Sequence, residues 1–300
     1  LYPALNIPNR IIDLSVVERG ANLEVNFTVP PLTTEGLAVK TIGAIDLRVG
    51  PTPAEPFKVE QWADGAKRID VPPPAKPEAV HASIPLAGLV GKEVIVAVRL
   101  ANSKGRVSEW SNRATIQVAP PIDTPADFTA TAVAQGVLLK WKGAGTQFRI
   151  YRDTEKEPQP TLLTTTADHD YLDTTTSYGI KYEYFVQGTI ADVESDPAGP
   201  KTITPVDVFP PAVPAGLEAT AGLNAIELAW ERNTEPDFKG YRIFRSTAGA
   251  PFEMIAEGIE SPNYSDKKVE SGKKYRYAIE AIDQAGNASA KCAPAEITAP

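Results

Sequence analysis

Ala225-Ile226-Glu227-Leu228-Ala229-Trp230, Tyr241-Arg242-Ile243-Phe244 and Tyr275-Arg276-Tyr277-Ala278-Ile279 decide the architecture of this chain. In the first stretch Ile226, Leu228 and Trp230 alternate with Ala225, Glu227 and Ala229. A period of two buries one face of an extended strand and leaves the other in water. Phe252 to Ile255 adds a further strand between the second and third stretches. The same series recurs upstream as Val137 to Trp141, Phe148-Arg149-Ile150-Tyr151, Thr161 to Thr165, and Tyr182-Glu183-Tyr184-Phe185-Val186. Trp141 and Trp230 stand 89 residues apart. Leu23, Val25 and Phe27 alternate in the same way near the N-terminal end. Ordered recurrence marks internal repeats. Short strands at regular spacing, in units of about 90 residues, predict a seven-stranded β-sandwich. No stretch reads as an amphipathic helix, because Pro or Gly usually interrupts within a dozen residues.

Two proline clusters, at residues 120–125 and 205–214, punctuate the 28 prolines of the chain. Proline stiffens a linker and lacks the donor that a central strand needs. The clusters divide the chain into segments 1–119, 120–205 and 206–300. They predict three tandem sandwiches held apart in an elongated arrangement, an all-β fold.

Composition narrows the function. The 300 residues carry 30 Lys and Arg against 38 Asp and Glu, a formal net charge of −8. That argues against nucleic acid as a partner, since its binders present a basic face. Apolar residues make up 42% of the chain, enough for packed cores. No run approaches the roughly 18 apolar residues of a membrane helix, so no membrane span is expected. One Cys cannot form an internal disulfide, and one Cys with two His cannot build a structural zinc site. No metal and no cofactor are expected. The start at Leu1-Tyr2-Pro3 without Met leads us to expect a processed or trimmed chain, with room for a signal or lipid anchor upstream.

The second and third segments resemble fibronectin type III domains. The third does so over its whole length. It carries Pro210-Pro211-x-x-Pro214-x-Gly216-Leu217, Leu228-Ala229-Trp230, Asp237-Phe238-Lys239-Gly240-Tyr241-Arg242-Ile243-Phe244-Arg245-Ser246, Gly272-Lys273-Lys274-Tyr275 and Asp283-Gln284-Ala285-Gly286-Asn287-Ala288-Ser289, in a bacterial style of that family. The resemblance implies that Trp230 fills the core between the sheets. It also implies that Tyr275 is a tyrosine corner, bonded through its hydroxyl to nearby backbone. Trp141 and Tyr182 take these places in the second segment, with an F–G loop at Ala191 to Glu194. The first segment matches less closely. Phe27 takes the tryptophan position and Val94 the corner position, with long insertions from Pro30 to Gly43 and from Pro51 to Pro77. We read it as a diverged type III or immunoglobulin-like sandwich.

Candidate chemistry is sparse. Asp168-His169-Asp170 with Asp173 nearby could ligate a metal or supply a base, but in a strand the flanking Asp residues point away from His169. Glu235 and Asp237 could suggest a paired-carboxylate site, though they fall in a B–C loop that suits a polar turn better. His81 reads as a strand-surface residue, and Cys292 as a small, partly buried one. No Gly-x-Ser-x-Gly elbow and no phosphate-binding Gly-rich loop occurs. No catalytic residue is assigned, and the chain is expected not to be an enzyme.

Two tryptophans are the binding candidates. Ser108-Glu109-Trp110-Ser111 resembles half of the Trp-Ser-x-Trp-Ser motif of cytokine-receptor type III domains, and it places Trp110 within reach of Arg99 for a cation–π contact. Trp62, in Phe57-Lys58-Val59-Glu60-Gln61-Trp62, either stands exposed to stack on sugar or anchor a partner, or covers the first core with Phe57 and Val59.

These features point to a monomeric, extracytoplasmic bacterial protein at the cell surface, in the periplasm or secreted. The leading expectation is a non-catalytic spacer, adhesion or interaction protein, with protein or cell-envelope polysaccharide as partner. The rival expectation is an accessory carbohydrate-binding region of a secreted polysaccharide-acting system. It looks to Trp62 with Tyr171 or Tyr178 for an aromatic platform.

Overall fold

The computed structural model describes residues 5–155, 157–247 and 249–300. The chain divides into two compact units, residues up to 132 with 136–204, and residues 205–300 with 133–135. Every strand group builds a two-layer sandwich around its own core, so the all-β, three-sandwich expectation holds.

In the first sandwich, β1 (Ser15–Arg19), β2 (Asn22–Thr28) and β5 (Ala79–Pro85) form one layer. The other layer has the order β4 (Lys67–Ile69), β3 (Ala44–Pro51), β6 (Glu93–Ala101), β7 (Ala114–Gln117). The period-two residues Leu23, Val25 and Phe27 meet Leu47, Val49, Val94, Val96, Val98 and Leu100 in the core. Apolar contact of this kind is the main favourable term in holding two sheets face to face. Strand β6 is buried on both faces at Ile95 and Ala97 as well, because a short helix α1 (Val59–Gly65) lies in the second insertion. This helix corrects the expectation that no helix forms. Seven residues are too few to display a helical period, and its hold comes from burying Trp62 and Ala63 rather than from propensity.

The second sandwich sets β8 (Ala126–Val133), β9 (Gly136–Lys142) and β12 (Asp170–Asp173) against β10 (Gln147–Thr154), β11 (Glu157–Thr166), β13 (Tyr182–Ile190) and β15 (Ala198–Ile203). Trp141, Phe148, Ile150, Tyr184 and Val186 fill its core. The two-residue strand β14 (Val193–Glu194) returns from β13 and pairs in parallel with β1, Glu18 facing Val193 and Arg19 facing Glu194. One sheet therefore runs from β5 through β1 and β14 to β11. The proline linker at 120–125 does not hold these two modules apart. Gly20 permits the approach. Its φ is +51°, and a Cβ there would stand 2.4 Å from Asp196 Oδ2. Its N–H donates to the Glu194 carbonyl at 2.9 Å.

The third sandwich, in the second unit, packs β16 (Glu218–Gly222), β17 (Ala225–Ala229) and β20 (Asn263–Asp266) on β19 (Glu253–Ile259), β18 (Phe238–Thr247), β21 (Lys274–Asp283) and β22 (Ala295–Thr298). Trp230 is sealed in its core beside Tyr241, in edge-to-face contact at 5.0 Å. Both tyrosine corners form. The Ser177 N–H donates to Tyr182 Oη at 2.9 Å, and the Glu270 N–H to Tyr275 Oη at 3.0 Å.

Candidate functional site

Trp62 and Trp110, the two binding candidates, meet in one cluster on the outer face of the β4-β3-β6-β7 layer. Helix α1 brings Trp62 onto that face, where it is 8% exposed and donates through Nε1 to the Pro51 carbonyl at 3.2 Å. Trp110 is 6% exposed and donates through Nε1 to Glu60 Oε1 at 2.9 Å. The Arg99 guanidinium lies 4.3 Å from the centre of the Trp110 ring. It also binds Asp46 Oδ2 at 3.0 Å and Glu60 Oε2 at 3.2 Å. Arg48 pairs with the other Asp46 oxygen at 2.6 Å. Trp62 thus covers apolar surface, but of this outer cluster rather than of the first core. Neither indole face is free to stack on a sugar. Of the tyrosines named with them, Tyr171 is half-buried against the second core and Tyr178 is exposed.

The polar candidates have local partners. His169 Nε2 sits 3.1 Å from the Gly143 carbonyl oxygen, and its ring packs on Phe148 at 4.8 Å. Asp168 accepts the Thr166 hydroxyl, whereas Asp173 is fully buried and bound to Arg152, Thr175 and Tyr184. The four residues of that motif do not converge. His81 lies across β2 and β5, bridging Asn26 and Glu24. Burial opposes ionisation of Glu235, but the Ala212 N–H and the Asn233 amide outweigh it and hold the carboxyl below its usual range. Cys292 is buried beneath the Ile279 N–H, and burial pushes its thiol up, away from a reactive thiolate.

One grouping was not singled out by sequence reasoning. Asp207, Asp237 and Asp283 bring carboxylate oxygens within 4.8 Å of one another. Asn287 lies among them, its Nδ2 2.8 Å from Asp283 Oδ2 and 3.3 Å from Asp207 Oδ1. The only available signal was that Asp237 and Asp283 each open a turn-rich motif. Oxygen donors suit a hard divalent cation, but nothing beyond the proximity of three carboxylates points to a bound ion there. Asn287 also occupies part of their capacity.

Parts of the chain are similar to known proteins. No protein-family model matches the chain. It is 35% identical to a fibronectin type III-like protein from Clostridium thermocellum, over 31% of this chain and 96% of that one, with a TM-score of 0.27. It is 29% identical over 227 residues to exoglucanase B of Cellulomonas fimi, covering 67% of this chain and 20% of that protein. It is 37% identical over 84 residues to an amylopullulanase of Thermoanaerobacterium saccharolyticum, covering 28% of this chain and 6% of that protein. The chain therefore spans a fifth or less of the length of these two curated relatives. Sandwiches with a core tryptophan and a tyrosine corner define the class. The chain belongs to the fibronectin type III family, as tandem domains.

Proposed function

We propose that this chain is the accessory, non-catalytic module region of a polysaccharide-acting system that works outside the bacterial cytoplasm. The observation that carries the reading is the 227-residue match to exoglucanase B, which is longer than one module and so extends over tandem domains. The amylopullulanase match adds a second relative named for a glucan-cleaving activity. Both favour this reading over a free-standing adhesion or spacer protein. The burial of Trp62 and Trp110 speaks against an aromatic sugar platform. The pairing of β1 with β14 favours a firm mount that sets the spacing of neighbouring modules.

The test compares the full-length gene product with a version lacking residues 1–300, on insoluble and soluble forms of one glucan. The expected result is reduced turnover on the insoluble form alone, with no sugar released by the 300-residue chain by itself. Equal turnover by both versions on both forms would overturn the proposal, as would glycan cleavage by the isolated chain.

A further inference from the structure

The insertion between β2 and β3 is folded, although a sandwich needs only a turn there. Leu32 and Ala38 bridge, the Val39 N–H donates to the Pro31 carbonyl at 2.9 Å, and the Leu37 N–H donates to the Thr33 hydroxyl at 3.2 Å. The N-terminal segment is tied to it, since the Asn9 N–H donates to the Leu32 carbonyl at 3.0 Å. The insertion returns at Gly43 against the turn after β6. The Gly43 N–H donates to the Ala101 carbonyl at 2.8 Å, and a Cβ at Gly43 would stand 2.3 Å from the Asn102 carbonyl oxygen. Asn102, itself buried, spends its whole amide on this joint. It donates to the Leu5 and Asn6 carbonyls and accepts from the Lys104 and Arg106 N–H groups.

These walls enclose a cleft of about 400 Å³ lined by Thr33, Leu37, Val39, Lys40, Asn102 and Lys104, among others. That volume lies within the usual range of small-ligand sites. Val39 is buried and Leu37 is half-exposed, which gives the cleft an apolar side. No carboxylate lines it. Among the described residues, neither Lys40 nor Lys104 is engaged in an ion pair, as holds for most lysines of the chain, and what sets these two apart is that both line one cleft.

We infer that this cleft binds a carboxylate-bearing sugar unit of an acidic polysaccharide. A bare inorganic anion would use the two ammonium groups and leave the Leu37 side in water. A neutral sugar would cover Leu37 and leave both charges without a role. A uronate has a C–H face for the apolar side and a carboxylate for the lysines, and the hydrogen-bonded walls hold the site preformed. The inference rests on the polysaccharide-directed reading above and adds the charge of the saccharide.

Calorimetric titration of the 300-residue chain tests it, with tetragalacturonate, cellotetraose, an oligoglutamate of equal charge and inorganic phosphate as probes. Tetragalacturonate is expected to bind and cellotetraose not to. Joint Lys40→Glu and Lys104→Glu substitution is expected to weaken binding at least about tenfold, the order set by losing two exposed charge contacts. Joint Lys40→Gln and Lys104→Gln substitution, which adds no new charge, should weaken it in the same direction. Leu37→Ala should weaken it a few-fold, with binding measured below the melting temperature of each variant. No uronate binding, binding that survives both double substitutions, or equal affinity for oligoglutamate or phosphate would overturn the inference. None of those outcomes touches the insoluble-glucan comparison, so the two readings fail separately.

Discussion

Tyr184 Oη donates to Asp173 Oδ2 at 2.8 Å across the two layers of the second sandwich. Tyr277 makes the same contact to Asp266, also at 2.8 Å, in the third. Each carboxylate carries an arginine as well. Arg152 stands 2.7 Å from Asp173, and Arg245 stands 2.9 Å from Asp266. Each arginine in turn lies over the ring of the corner tyrosine, Tyr182 or Tyr275. The repeat therefore includes a buried polar clip between layers as well as a hydrophobic pattern. A buried carboxylate is costly unless it is paired and hydrogen-bonded, and both of these are.

Removing one partner of such a clip leaves the other buried without its charge complement. Asp173→Ala and Asp266→Ala are each expected to cost about 3 kcal/mol by denaturant unfolding. Tyr184→Phe and Tyr277→Phe should cost about 1 kcal/mol, the loss of one hydrogen bond. Burial raises the Asp173 pKa, but the Thr175 and Tyr184 hydrogen bonds and the Arg152 charge together bring it below the ordinary value. A depressed folded pKa contributes stability that is present above the unfolded pKa of about 4 and lost as pH falls through the folded one. Asp173→Ala should therefore flatten the acid limb of the first unit's stability curve. An unchanged acid limb would exclude the clip as its source.

The anchors of this fold were legible because they act locally. Trp141 and Trp230 end a period-two run, and Tyr182 and Tyr275 bond backbone only five residues upstream. Contacts that depend on which edges meet leave no such trace. Arg19 and Glu194 are 175 residues apart, and alternation reveals that a strand exists without revealing its neighbour. Helix α1 was hidden by its length, and the fate of Trp62 depended on that helix. The Asp207, Asp237 and Asp283 grouping was hidden because a linker, a turn before β18 and the end of β21 supply it.

The joint between the first two sandwiches centres on Glu194, which takes two hydrogen bonds from Arg19 and further contacts from Arg149 and Gln187. Burial works against its ionisation, yet the two arginines hold its carboxyl below the usual range. Scanning calorimetry should show residues 5–204 melting in one transition at neutral pH. Glu194→Ala should split that transition in two. Acid should act likewise as pH falls through the depressed pKa. Two separate transitions already in the unsubstituted chain at neutral pH would contradict a single cooperative unit.

Glu18, beside that joint, carries the opposite sign. Its side chain is fully buried, with Oε2 accepting the Ala119 N–H at 2.9 Å and Oε1 without a hydrogen-bond partner. Burial raises its pKa against the single opposing hydrogen bond. A raised folded pKa favours the folded state below the unfolded pKa and loses that contribution as pH rises through the folded one. Glu18→Gln keeps the acceptor and removes the charge. It should therefore stabilise the first unit by about 1 kcal/mol at pH 7 and have little effect near pH 4. A uniform shift across that range would mean that packing, not charge, sets the effect.

Trp62→Ala separates a structural tryptophan from a sugar-binding one. The indole rests on the outer face of β3 and β6 with Phe57 at 6.1 Å, and it holds α1 through the contact to the Pro51 carbonyl. Large-to-small change at a buried tryptophan costs about 3–5 kcal/mol, because the transfer energy and the residual cavity add. Amide exchange should accelerate across residues 57–66 and along the outer positions of β6. The cleft at Lys40 and Lys104 is built by other segments, so uronate binding measured below the lowered melting temperature should persist. A variant of normal stability that no longer binds saccharide would reverse both assignments, since the indole would then be a contact surface and the Lys40 cleft a bystander.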